Sequence, residues 1–193
     1  MRSQVWKYTL STHNEIKNYL LTEIDKSIGN SIVPGKVIDI NQDQDLITKT
    51  DFFQRKEDFY TNSYILKIHN EFQKDFYDIF MNYYFAQNFE LEYAWYQQYN
   101  TGDIHDWHFH PTANISFVYF IELNSYKEST EFFDVKTKKV FQIKAKEGDI
   151  LVFPAFIPHR SPVIKTNNRK TVISGNINLK YVNFPLVCET TNS

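Results

Sequence analysis

From Glu90 onward the hydrophobic period of this chain is two, and it returns in short runs almost to the end. The runs are ELEYAWYQQY, NISFVYFIEL, STEFFDV, KVFQIKA, DILVFP and KTVISGNINLKYV, rich in β-branched and aromatic residues and separated by polar or Gly-bearing breaks. Alternation of this kind gives a strand two distinct faces. Six such strands in succession predict a sandwich or a barrel rather than a parallel, helix-alternating sheet.

The first third has a helical period instead. Ile16, Tyr19, Leu20 and Ile24 fall on one helical face behind Ser11 and Thr12, which suit an N-cap, and Gly29 with Pro34-Gly35 ends that helix. Ile65, Ile68, Phe72, Phe76, Ile79 and Tyr83 recur at threes and fours and predict a second helix over 62–85. His13 and His69 fall in these helical regions and read as surface or helix-edge residues. The intervening 36–60 reads as a polar connection with one strand at Val37–Ile40. With 193 residues, 42% of them apolar, the chain can bury a core. It has no internal repeat or obvious linker. The expectation is one α+β, mainly β domain over 1–193: a helical part at 1–88 packed on the outside of the strands, a strand core at 89–183 and a tail at 184–193.

Charge and cysteine use bound the setting. A net charge of −2 provides no bulk attraction to nucleic acid or to an anionic membrane, so neither is favoured as a partner. The single Cys188 cannot form an internal disulfide, which points to a reducing compartment. MRSQVWKYTLS lacks the apolar run of a signal peptide, and no stretch approaches membrane-spanning length. The expectation is a cytoplasmic protein. Seventeen Phe and thirteen Tyr against five Gly suggest AT-rich coding, hence a low-GC bacterium or a phage-infected host cell.

Chemistry is concentrated in GDIHDWHFHP, where three of the six histidines fall within six residues. His108 and His110 are one residue apart, so on a strand both imidazoles leave the same face, with α-carbons about 6.5 Å apart. Two rings so placed can share a metal ion. In EGDILVFPAFIPHRSPV, Gly148-Asp149 make a turn, Ile150 to Phe153 a buried strand, Pro154 a stop, and His159 follows in a loop. Arg169 stands ten residues further on, opening the run RKTVISGNINL. Each feature alone has a structural explanation; the ordered set points to a metal site. His105 faces away from His108 in regular strand geometry and is not expected to be a ligand.

The segment over roughly 90–180 resembles the double-stranded β-helix core, a jelly-roll or cupin-like barrel, of the iron(II)- and 2-oxoglutarate-dependent oxygenases. WHFHPTANISFVYFIEL, then GDILVFPAFIPHRSPV and RKTVISGNI, are similar to a poorly characterised group with an H-x-H-P motif found in phages and marine bacteria. The resemblance implies that His108, His110 and His159 hold Fe(II), and that Arg169 grips the distal carboxylate of the cosubstrate 2-oxoglutarate. The Tyr99-x-x-Gly102 spacing is similar to cosubstrate-binding segments and implies a contact from Tyr99, with Gln97 on the same strand face a further candidate. Asp106 would orient an imidazole. Trp95, Trp107, Phe109 and Phe156 would wall the pocket. The implied reaction consumes O2, releases succinate and CO2, and hydroxylates a substrate that is a protein side chain, a small metabolite or a nucleotide. A homodimer is compatible with the helical part.

His110 occupies the position where the common triad has a carboxylate, which leaves the metal its full +2 charge. Two other readings stay open. A three-histidine cupin, acting as a 2-oxoglutarate-independent dioxygenase or a metal-bound sensor, fits the Gly102–His110 and Gly148–His159 spacings. It lacks its usual glutamate after H-x-H and has no need of Arg169. A non-catalytic barrel would keep the histidines as structure.

Overall fold

The computed structural model describes residues 4–33, 45–54 and 63–182. The expected strand at Val37–Ile40, the turn at Pro34-Gly35, Cys188 and the tail lie outside these residues.

The run ISFVYFIE explains the layering. The strand β6 (Ile115–Glu122) is buried at every position but the last, so both its faces are covered. Phe117, Tyr119 and Ile121 belong to a core shared with two helices, whereas Val118 and Phe120 belong to a second core. The helices are α1 (His13–Lys26) and α2 (Ser63–Tyr84). They bury Ile16, Leu20 and Ile24 and Ile65, Ile68, Phe72 and Phe76 of the predicted stripes, while Tyr19 and Tyr83, expected on the same faces, are exposed. Phe72 meets Phe117 and Tyr119 edge-on, at 5.7 and 5.3 Å between centroids.

The middle layer is a seven-stranded antiparallel sheet. Around β6 it contains β1 (Trp6–Thr9), β2 (Asn30–Ile32), β3 (Ile47–Thr50), β4 (Ala86–Tyr99), β9 (Asp149–Pro154) and β11 (Lys170–Val182), in the order β1-β9-β6-β11-β4-β3-β2. The third layer has four strands: β5 (His105–His108), β7 (Glu131–Asp134), β8 (Lys139–Gln142) and β10 (His159–Ser161), in the order β5-β10-β7-β8. Phe132 and Phe141 of this smaller sheet face Phe120, Phe153 and Val172 of the larger one. The architecture is mainly β, in the jelly-roll arrangement of a double-stranded β-helix, with helices on the outer face of the larger sheet. Among the described residues no helix is long and apolar enough to cross a membrane.

Two local expectations change. Thr12 does not cap α1 with its side chain; its hydroxyl donates to Glu71 of α2 at 2.6 Å. His13 is not a surface residue: it is buried, with Nδ1 2.7 Å from the Tyr119 hydroxyl.

Candidate active site

The site is built where β5 meets β10. His159 stands opposite His108, and Ser161 opposite His105, so two steps on β10 answer three on β5. The extra residue is a β-bulge, and it shifts the side-chain alternation by one. His105 therefore comes to the same face as His108, contrary to the regular-strand expectation, and the two rings stack at 3.9 Å with planes 17° apart. His105 is still no ligand. Its Nδ1 lies 3.2 Å from the Gln97 amide nitrogen, which can only donate, leaving the ring proton on Nε2, 3.6 Å from the Asp45 carboxylate.

His108, His110 and His159 converge, each offering a ligand atom within 4.8 Å of the others. His108 Nδ1 donates to the Asp106 carbonyl at 2.7 Å, and His159 Nδ1 to the Ile157 carbonyl at 2.9 Å. A carbonyl only accepts, so each ring carries its proton on Nδ1 and presents the Nε2 lone pair. The same device, a carbonyl two residues back, serves both ligands. The main-chain N–H of His110 donates to Ala155 O at 2.9 Å, which ties the loop after β5 to the loop after β9. His110 Nδ1 is 3.5 Å from the Asn176 amide on β11. Burial pushes His108 below the usual imidazole range and His159 well below it, so both are neutral at neutral pH. Three imidazoles on one small patch are a donor set that suits a divalent first-row ion such as iron(II). Asp106 takes part through its main-chain carbonyl; its carboxylate accepts the Trp107 N–H at 2.8 Å.

The same cavity, about 410 Å³ including its mouth, is lined on its larger-sheet side by Trp95, Gln97 and Tyr99 from β4 and by Lys170, Val172 and Ser174 from β11. Lys170 is 1% exposed. Its ammonium donates to Glu128 O and Ser161 Oγ, both at 2.7 Å, and lies 4.9 Å from the Tyr99 ring centroid. Both acceptors are uncharged. The Glu128 carboxylate is turned away, accepting the N–H groups of Lys165 and Thr166. Burial pushes Lys170 down to about 7. A buried ammonium with only uncharged acceptors carries a desolvation cost that a bound anion would offset.

The expectation for Arg169 does not match its placement. Its guanidinium pairs with Glu122 at 2.9 Å and Asp25 at 3.2 Å, and Glu122 also accepts from the Thr171 hydroxyl. Alternation along β11 sends Arg169 and Thr171 to one side and Lys170, Val172 and Ser174 into the cavity. Of the expected wall aromatics, Trp95 lines the cavity, 5.8 Å from His110 between centroids. Trp107 lies instead under the Arg160 guanidinium at 4.7 Å. Phe109 and Phe156 are exposed. Lys170 was missed although its signal was present, since it shares parity with Val172 and Ser174. His105 had no such signal, because a bulge leaves no mark in composition.

No family model matches the sequence, and no curated protein is detectably similar to it. Solved structures are similar in fold. An oxidoreductase of the 2OG-Fe(II) oxygenase family from Burkholderia pseudomallei matches with a TM-score of 0.70 at 9% identity, covering 91% of this chain and 86% of that one. The α-ketoglutarate-dependent non-heme epimerase SnoN from nogalamycin biosynthesis matches at 0.68 with 7% identity, covering 90% and 77%. HygX from Streptomyces hygroscopicus, with nickel and 2-oxoglutarate bound, matches at 0.61 with 9% identity, covering 92% and 84%. At these identities the likeness is one of fold: the chain has the architecture of 2OG-Fe(II) oxygenase structures and, within it, three histidines grouped as a metal could use them.

Proposed function

We propose that this protein is an iron(II)- and 2-oxoglutarate-dependent oxygenase of the hydroxylase type, with the histidine-only ligand set of the H-x-H-P group that its sequence resembles. The observation that carries this reading is one cavity holding three convergent imidazoles and a buried ammonium whose two acceptors are uncharged. His108, His110 and His159 hold the metal. Lys170, in place of Arg169, binds the distal carboxylate of the oxo acid, and the Tyr99 ring and Ser161 hold the ammonium in position. Gln97 acts indirectly, through His105. Iron bound there supplies oxygen activation coupled to decarboxylation of the oxo acid, with succinate, CO2 and a hydroxylated substrate as products. The protein's part is to hold His108 and His159 neutral with Nε2 presented, to bring His110 to the same point, to orient the cosubstrate between the two sheets, and to keep the cavity dry.

The test is anaerobic titration of the iron(II)-loaded protein with 2-oxoglutarate, following the visible charge-transfer band of the chelate. The band is expected in the parent and in Arg169→Ala, is lost in His159→Ala, and at the same oxo-acid concentration is lost in Lys170→Met. Iron binding without any band overturns the reading in favour of a three-histidine metalloprotein that does not use 2-oxoglutarate. Such a protein has no use for Lys170.

A further inference from the structure

We infer that His105 is a positioning residue for the metal ligand His108, a flat plate that fixes the plane of its ring. The inference rests on the metal-binding reading above and concerns how that site is held. An imidazole turns easily about its last side-chain torsion, whose energy wells are broad. The hydrogen bond from His108 Nδ1 to the Asp106 carbonyl selects which nitrogen faces the metal. It leaves the ring free to tilt about that contact. The face of His105, 3.9 Å away and nearly parallel, removes the tilt. The ring contacts of the other two histidines are inclined: Phe153 and Phe132 meet His159 at 66° and 38°, and Trp95 meets His110 at 52°.

The plate is backed by the larger sheet: Gln97 on β4 meets its Nδ1 at 3.2 Å, and Asp45 just before β3 lies 3.6 Å from its Nε2. Asp45 is 1% exposed and uses its other oxygen to accept the N–H of Asp106 at 2.7 Å. Asp106 is the residue whose carbonyl receives the His108 proton. Asp45 thus lies beside both restraints on His108, next to the His105 ring and hydrogen-bonded to the Asp106 peptide. With its Nδ1 taken up by Gln97, His105 contributes its face and leaves coordination to the three converging histidines.

Two variants separate the plate from its hydrogen bonds. His105→Phe keeps a flat ring and loses the polar contacts; His105→Leu has similar bulk and no flat face. Cobalt(II) titration under anaerobic conditions gives affinity and ligand-field bands. Side-chain relaxation of labelled His108 in the metal-free protein gives ring order directly. His105→Leu is expected to weaken cobalt about 10–100-fold, the range for lost outer-shell support, to shift the bands and to loosen the His108 ring. His105→Phe is expected to stay near the parent in all three readouts. Parent-like behaviour of His105→Leu overturns the inference, as does a folded His105→Phe that is as weak and as loose as His105→Leu. If His105→Leu does not fold, His105→Phe alone decides. A parent that binds no cobalt defeats the metal reading, and the ring order of His108 in the metal-free variants then still decides the plate.

Discussion

A lysine ammonium held in the protein interior by a carbonyl and a hydroxyl keeps its proton less readily than one in water, and Lys170 accordingly sits at about 7 against an ordinary 10.5. Between those values the unfolded chain binds more protons than the folded one, so this group's contribution to stability rises with pH; below 7 its penalty is fully present. Urea unfolding of the parent and Lys170→Met at pH 7 and pH 9 checks this. The parent is expected to gain on the variant by about 2 kcal/mol across that interval. Cosubstrate binding at Lys170, as proposed, would have the opposite sign, because the carboxylate needs the ammonium. Above pH 7 the 2-oxoglutarate Kd is expected to rise about tenfold per pH unit, with proton uptake visible by calorimetry in buffers of different ionisation heat. At this scale the sequence was legible up to one step of register. RKTVIS shows a cation at the start of a strand, and the choice between Arg169 and Lys170 depends on which parity faces inward. Glu122 and Asp25, which draw Arg169 away, are distant in sequence and gave no warning.

Among elements, those with long periodic runs were readable, as were the short β7 and β8 within STEFFDV and KVFQIKA, whereas β1, β2 and β3 were not. α1, α2, β4, β6, β9 and β11 each lie within a few residues of their predicted spans, since eight or more residues of one period, or a fully apolar run, leave little choice. β1, β2 and β3 have three or four residues each and take their strand character from the partner they pair with. β5 is the decisive case. Its pairing with β10 is irregular, and the bulge turned His105 into a neighbour of His108. The turn at Gly148 was legible and has a sharp consequence. Its φ is +83°, and an added Cβ would lie 2.9 Å from the His13 ring. Gly148→Ala is expected to cost about 1–2 kcal/mol for the dihedral alone, more with the contact, and to lower the urea midpoint without changing the slope. Gly175 tests the middle sheet in another way: its Cβ would fall 2.4 Å from Phe117, so Gly175→Ala is expected to destabilise by about 1–3 kcal/mol through overpacking.

Taken whole, the molecule is a three-layer stack whose candidate site lies between the second and third layers. His108 and His159 stand on the smaller sheet and His110 on the loop after it, whereas Lys170 and Tyr99 stand on the larger. On the proposed reading, an ion alone would engage the histidines of the smaller sheet and its following loop, and an oxo acid held also by Lys170 would join both layers. Thermal unfolding is expected to show this as a melting-temperature gain with cobalt(II) and 2-oxoglutarate together that exceeds the sum of the separate gains, and that falls back to the sum in Lys170→Met. The layer order could be anticipated from the doubly buried run of β6; which layer would carry which part of the site could not, because it follows from pairings between distant segments.

The four-stranded layer, packed on the larger sheet through Phe132 and Phe141 and, on the proposed reading, tied to it further by an ion and an oxo acid, carries a consequence for the protein's life in a cell. Proteases cut what opens, and the population of opened molecules follows the free energy of closing. On that reading, a chain deprived of either component would expose its thin layer more often and be degraded sooner. Its abundance would thus follow the supply of iron and of a central carbon metabolite, with no dedicated sensor.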